Sequence, residues 1–293
     1  MSRPEVQAPP EIFYNDDEAR KYTSSSRIID IQEQLTGRAL ELLALPNDGI
    51  PRLLLDIGCG SGLSGETLSE NGHQWIGMDI SQSMLNVALE REVEGDLVLA
   101  DMGEGLGLRT GVLDGAISIS AVQWLCNADK SYHEPRLRLK AFFDTLYRSL
   151  ARGARAVLQV YPKDIAQREL ILGSAMRVGF SGGVVIDFPH STKRRKEYIV
   201  LTCGPPSLST VTPKAKEEEC CSEDDDDDDS DISGDLGNQT VSNSDRHRRK
   251  KRKLTKKGKG KEWVIRKKEQ MRRKGNAVPS DSKYTARKRK DRF

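Results

Sequence analysis

Apolar positions change their period several times along the chain. Over residues 26–45 they fall at Ile28, Ile31, Leu35, Ala39 and Leu42. That spacing predicts one face of a helix, with Ser24 to Ser26 as N-cap candidates and Pro46 and Asn47-Asp48-Gly49 ending it. From residue 51 short apolar runs alternate with amphipathic ones. Residues 52–58 read as a strand buried on both faces. A helix follows from Ser61 to about Glu70, then a strand over 73–80 and a helix from Ser81 to about Glu92. Strands are predicted over 96–101 and 112–120, a helix over 136–151, a strand over 154–162 and a helix over 164–179. Two last strands, 182–189 and 197–203, are joined by too few residues for a crossover, so they are expected to pair antiparallel. The alternation predicts an α/β fold, a doubly wound, mostly parallel seven-stranded sheet with an antiparallel last strand.

The first 25 residues are Pro-rich and then polar, with Phe13, Tyr14 and Tyr22 among charges; they read as an ordered arm or short helix. After Pro205-Pro206 the periodicity stops. The expected divisions are an N-terminal arm and helix (1–50), an α/β domain (51–204), an acidic disordered linker (205–245) and a basic tail (246–293). Charge sharpens these divisions. Residues 1–204 carry 22 Lys and Arg against 27 Asp and Glu, whereas 246–293 carry 23 against 4. Between them, 217–245 hold 13 acidic residues and no Lys or Arg. Self-repulsion and low hydrophobicity leave such segments without a core.

No apolar run reaches the ~18 residues of a membrane span, and the N-terminus lacks the apolar centre of a secretory signal. The five cysteines include no C-x-x-C pair. That points to a reducing compartment and to no zinc site of the chain's own.

The strongest local feature is Asp56-Ile57-Gly58-Cys59-Gly60-Ser61-Gly62, which leaves a buried strand and enters a helix. Glycines there let the backbone turn tightly and let a ligand lie close. A dinucleotide fingerprint would put its third glycine at Leu63, and a Walker loop would need a lysine that is absent. Asp79, with Ile80 beside it, ends the next strand, where a carboxylate can accept from a ribose diol. Asp101-Met102 follows the third strand and pairs a carboxylate with an apolar side chain suited to a purine. Together these marks describe a nucleoside cradle without a pyrophosphate seat.

Residues 26–203 resemble the class I S-adenosylmethionine-dependent methyltransferases. The resemblance implies that Gly58, Cys59, Gly60 and Gly62, with Asp56, surround the methionine part of S-adenosyl-L-methionine. It implies that Asp79 holds the ribose and that Asp101 and Met102 bracket the adenine.

The acceptor is expected at Ser118 to Trp124, after the fourth strand. The segment has neither Asn-Pro-Pro-Tyr nor Pro-Cys. This disfavours methylation of an exocyclic amine and of a pyrimidine carbon through a cysteine adduct. Cys59 and Cys126 read as packing residues, and His133 and His190 as isolated surface residues. With no acid–base pair in view, the natural acceptor already owns a lone pair, such as a purine N7. Catalysis then rests on alignment. Ser120, Trp124 and Tyr14 are the substrate-positioning candidates, with Trp124 and an arm aromatic stacking on a flipped base; a purely packing Trp124 is the other reading.

The tail clusters comprise Arg248, Arg249, Lys250, Lys251, Arg252, Lys253, Lys256 and Lys257, then Arg287, Lys288, Arg289 and Lys290. They suit phosphate backbones or a nuclear address. Trp263, set among basic residues, suits stacking on RNA. PPEIFYNDDEARKYT, LDIGCGSGLSG, the SAVQWL segment and WVIRKKEQMRRKG…DSKYTARKRKDRF together resemble the eukaryotic 18S rRNA guanine-N7 methyltransferase family over nearly the whole chain. That resemblance implies methylation of one guanine in 18S rRNA during pre-40S biogenesis in the nucleus, nucleoplasm and nucleolus, with perinuclear cytoplasm as a further location. It also implies a heterodimer with a small zinc-binding activator subunit covering an apolar sheet edge, for which residues 96–101 are the candidate. A small-molecule methyltransferase of the same fold, and an assembly factor with dispensable turnover, stay open as alternatives.

Overall fold

A computed structural model of the chain describes residues 3–191, 194–204, 213–216, 268, 272 and 279–281. The arm forms three short helices, α1 (Pro4–Gln7), α2 (Pro10–Phe13) and α3 (Asp16–Ser24). Prolines open the first two, where the missing N–H costs nothing. Asn15 caps the third by accepting from the Glu18 N–H at 3.0 Å. Helix α4 (Ser26–Leu43) follows, with Ser25 at its N-cap position. The serine expectation is corrected in one respect, because the Ser25 hydroxyl makes no capping bond.

The sheet contains β1 (Leu53–Ile57), β2 (Gln74–Asp79), β3 (Asp96–Leu99), β4 (Leu113–Ile119), β5 (Leu150–Val160), β6 (Ser181–Asp187) and β7 (Lys196–Thr202). Their order is β3-β2-β1-β4-β5-β7-β6. Every pairing is parallel except those of β7, which runs antiparallel to both neighbours. The expected hairpin of the last two strands is present, and β7 inserts between β5 and β6. Between the strands lie α5 (Leu63–Glu70), α6 (Gln82–Glu90), α7 (Pro135–Ser149) and α8 (Ile165–Val178). Strand β5 starts four residues before its predicted start; its early residues, exposed at Arg152 and Gly153, carry little apolar signal. Among the described residues no helix is long and apolar enough to cross a membrane.

Alternation along β1 builds the two layers of the core. Leu55 and Ile57 pack with Phe142, Phe143 and Leu146 of α7 and Ile171 of α8. Leu54 points the other way, into Leu35, Ala39 and Leu42 of α4 with Leu68 and Trp75. Each such side chain contributes about 1.5–3 kcal/mol of burial. Strand order reverses between β1 and β4, so the carboxyl ends of those strands open a crevice.

The chain divides into two units, 1–232 and 233–293. In the first, residues 213–216 are held on the body. The Lys216 N–H donates to Asp187 Oδ1 at 2.8 Å, and the Lys214 carbonyl accepts from Arg38 Nη2 at 2.6 Å. Asp187 is itself buried and paired with Arg38 at 2.8 Å. In the second unit, Lys268 and Arg272 share Asp281, each at 3.0 Å.

Candidate active site

The turn after β1 is built from glycines with left-handed backbone: Gly58 at φ +73°, Gly60 at +54° and Gly62 at +79°. At Gly58 space is the second constraint, since a Cβ would stand 2.3 Å from that of Ala121. The Gly58 and Cys59 N–H groups both donate to the Met78 carbonyl, at 2.7 and 3.2 Å, tying the turn to β2. Asp79, the last residue of β2, is anchored at both oxygens. Oδ2 accepts from the Gly60 N–H and Oδ1 from the Ser81 N–H, each at 2.8 Å. Burial pushes this carboxyl above its ordinary range in spite of those bonds.

Asp56 is fully buried behind the turn. Its Oδ2 accepts from Ser64 Oγ at 2.6 Å, while Oδ1 has no hydrogen-bond partner among the described residues. Burial, opposed by the Ser64 bond and aided by the nearby Asp79 charge, pushes its pKa up to about 7. The Ser61 hydroxyl is also buried and unpaired. These orphaned oxygens, beside a turn whose Gly58 and Gly60 line the cavity, fit the ammonium and methionine part of S-adenosylmethionine.

Asp101 lies past the end of β3 and caps a short 3₁₀ turn (Met102–Glu104), accepting from the Gly103 N–H at 2.8 Å. Arg138 of α7 reaches it, with Nη2 2.6 Å from both carboxylate oxygens. His133 Nδ1 lies 3.3 Å from Arg138 Nη1. The expectation of a surface His133 is corrected: it is half-buried and lines the cavity. His190 is exposed, as expected.

After β4, Ser120 is held at φ +58°, a strained position for a residue with a side chain. Its N–H donates to the Gln159 carbonyl at 3.1 Å, and Gln123 Nε2 donates to its carbonyl at 2.7 Å. A second 3₁₀ turn (Val122–Cys126) sets Trp124 in the wall at 6% exposure. The arm closes this side. Ser81 Oγ donates to the Tyr14 carbonyl at 2.9 Å, and the Tyr14 ring lies 6.1 Å from Trp124 and 6.0 Å from Tyr22. Phe13 reaches within 6.3 Å of Trp124. Arg3 donates to the Tyr161 carbonyl at 2.9 Å, a second strap across the crevice.

The result is a cavity of about 310 Å³, the size of a small-molecule cleft. Gly58, Cys59, Gly60, Asp79 and Ile80 line one part of it, and Asp101 and Met102 another. Ser120, Trp124 and Tyr14 line it too, whereas Asp56 and Gly62 stand behind the wall. Sequence reasoning missed Tyr22, Gln32, Arg138 and Tyr161, which also line it. Tyr161 was accessible to the strand-end rule, since it directly follows β5. Arg138 carried no signal, being one arginine among several on an amphipathic helix. Neither cysteine is poised to ionise: burial pushes Cys59 well above its ordinary value and Cys126 up to about 11. Arg248 to Lys257, Trp263 and Arg287 to Lys290 lie outside the described residues.

A family model described as a methyltransferase domain matches residues 55–158. Another, described as a methyltransferase involved in Williams-Beuren syndrome, matches residues 201–291, the tail. The 18S rRNA (guanine-N(7))-methyltransferase of Arabidopsis thaliana is 69% identical over 100% of this chain and 99% of its own length. That of Mus musculus is 53% identical over 99% of this chain and 98% of its own. Among solved structures, a complex of the Haloferax volcanii Trm112 methyltransferase activator with a methyltransferase aligns at a TM-score of 0.45 and 15% identity. The alignment covers 64% of this chain and 98% of that one. With such relatives matched end to end, the chain belongs to the family of S-adenosylmethionine-dependent 18S rRNA (guanine-N7)-methyltransferases.

Proposed function

We propose that the chain methylates guanine N7 in 18S rRNA by alignment alone, without a general base. One observation carries this reading. Around Trp124 the cavity is lined by the hydroxyls of Ser120, Tyr14 and Tyr161, while of its groups able to take a proton His133 lies against Arg138 at 3.3 Å and Glu11 pairs with Lys130 at 3.5 Å, with Asp129 also on the lining. Burial holds the Tyr14 phenol above its ordinary value and pushes Tyr161 up to about 12, so both stay protonated. S-adenosylmethionine, when bound, supplies an electrophilic methyl on a sulfonium. Guanine N7 carries its own lone pair, so no proton has to be removed before transfer. Fixing that geometry is worth on the order of 7 kcal/mol.

The chain's own groups divide the work of binding. Asp79 offers acceptors for the ribose diol, Asp101 with Met102 takes the adenine, and Ser61, with Asp56 buried behind it, faces the ammonium. Trp124 and Tyr14 supply aromatic surface for the target base, which has to leave its stack to reach the cavity. The basic tail contributes phosphate contacts on the pre-40S particle, and its clusters double as a nuclear address.

A small zinc-binding activator subunit is the proposed partner, seated along β3. Among the described residues that strand pairs only with β2, and its Leu99 is 55% exposed. An apolar edge of this kind invites pairing with another chain.

Truncation of residues 205–293 tests the reading. Donor affinity is expected to persist while methyl transfer to small-subunit RNA collapses. Full transfer by the truncated chain would remove the tail from substrate binding, and transfer only to small molecules would replace the RNA reading.

A further inference from the structure

We propose that Arg138 is a positioning residue that makes the cavity selective for the amino group of the donor's adenine, by fixing the rotation of the Asp101 carboxylate. The inference rests on the reading that adenine sits at Asp101.

Asp101 has two anchors from different elements. The Gly103 N–H binds Oδ1 at 2.8 Å from its own turn, and Arg138 Nη2 lies 2.6 Å from both oxygens. Side-chain exposure of the pair is 11% and 14%, so water competes weakly for the contact. Counting donors, Oδ1 is engaged twice and Oδ2 once. A carboxylate oxygen has about two acceptor sites, so Oδ2 is the oxygen with capacity left, and Asp101 lines the cavity.

The backbone is shaped around the arginine. A Cβ on Gly103 would stand 2.3 Å from Arg138 Nε, although Gly103 does not need a left-handed φ. This glycine therefore serves space rather than turn geometry, and the space is the guanidinium's.

A carboxylate fixed in this way favours a ligand edge that donates. The 6-amino group of adenine does so, whereas the 6-oxo group of hypoxanthine presents an acceptor to an acceptor. Losing a charged hydrogen bond at a buried site corresponds to about 10- to 100-fold in affinity.

The test compares S-adenosylhomocysteine with S-inosylhomocysteine by calorimetry on the full-length chain. Wild type is expected to prefer the adenosyl ligand by about 100-fold. In Arg138→Met the adenosyl affinity is expected to fall at least 10-fold with the inosyl affinity unchanged. Gly103→Ala displaces the guanidinium without removing it and is expected to narrow the preference in the same direction, which covers the case of a poorly folding Arg138 variant. Lower melting temperatures with the full preference intact would reduce Arg138 to a structural ion pair and overturn the inference. A wild-type chain that binds both ligands equally would overturn the placement of adenine beneath it.

Discussion

The Gly60 N–H and the Asp79 carboxylate meet at 2.8 Å, which joins the turn after β1 to the end of β2. With the Ser81 N–H on the other oxygen, the bond leaves the carboxylate no freedom to rotate away from the cavity. Asp79→Asn keeps the shape but sets an NH₂ against one of those two backbone donors. Donor affinity is expected to fall about 100-fold, the equivalent of one or two charged hydrogen bonds. Equilibrium dialysis with labelled S-adenosylmethionine reads the loss, and an unchanged affinity would remove Asp79 from the ribose site.

The glycines of the turn are unequal. At Gly58 an added Cβ meets the Cβ of Ala121 at 2.3 Å, with no flexible atom to yield. At Gly60 it meets the terminal methyl of Met84 at 2.8 Å, which can swing aside. Both also carry the left-handed penalty of about 1–2 kcal/mol. Gly58→Ala is therefore expected to lose more stability and more donor affinity than Gly60→Ala in parallel melts and titrations. The reverse order would show that the wall at Ala121 yields.

Asp56 predicts a pH dependence of the donor-free chain. Burial raises its pKa from 3.8 to about 7, so the folded chain retains a proton that the unfolded chain has released across that interval. Asp79 is raised for the same reason and acts in the same direction. The stability tied to the neutral forms is complete below about pH 3.8 and is lost as the pH rises through about 7. Denaturant midpoints of the donor-free protein are expected to fall across this window, and Asp56→Asn is expected to flatten the slope. A midpoint that climbs steadily from pH 4 to 7 in both proteins would contradict the assignment.

Trp124 separates acceptor from donor. Replacing it with Ala removes the indole that Tyr14 and Phe13 flank. Base stacking on an aromatic is worth about 1–3 kcal/mol, so methyl transfer to the small subunit is expected to drop 10- to 100-fold. Trp124→Phe is expected to recover most of it. Equal losses in donor affinity and transfer would mark Trp124 as core alone.

Regular alternation made the sheet legible in the sequence, because both-face burial leaves continuous apolar runs such as Leu53–Leu55. The residues proposed for the donor sit at strand ends and in a glycine turn, where local pattern alone marks positions that line the cavity. The acceptor side was only half legible. Tyr14 and Trp124 meet across a long stretch of chain, and nothing local in EIFYND announces that the arm folds back over the crevice. Arg138 was invisible because its partner, Asp101, lies on a different element, and a pairing of this kind leaves no periodic trace. Residues 213–216 carry no local signal either, since Arg38 and Asp187 hold them rather than any propensity of their own.

Following a labelled methyl to its destination bears most directly on the whole account. The full-length chain, with the proposed activator subunit, is given methyl-labelled S-adenosylmethionine and small subunits from cells lacking the protein, and the rRNA is then digested to nucleosides. Label confined to 7-methylguanosine from 18S rRNA, and lost in Asp79→Asn, is the predicted result. Label in any other nucleoside, or transfer that survives Asp79→Asn undiminished, would contradict it.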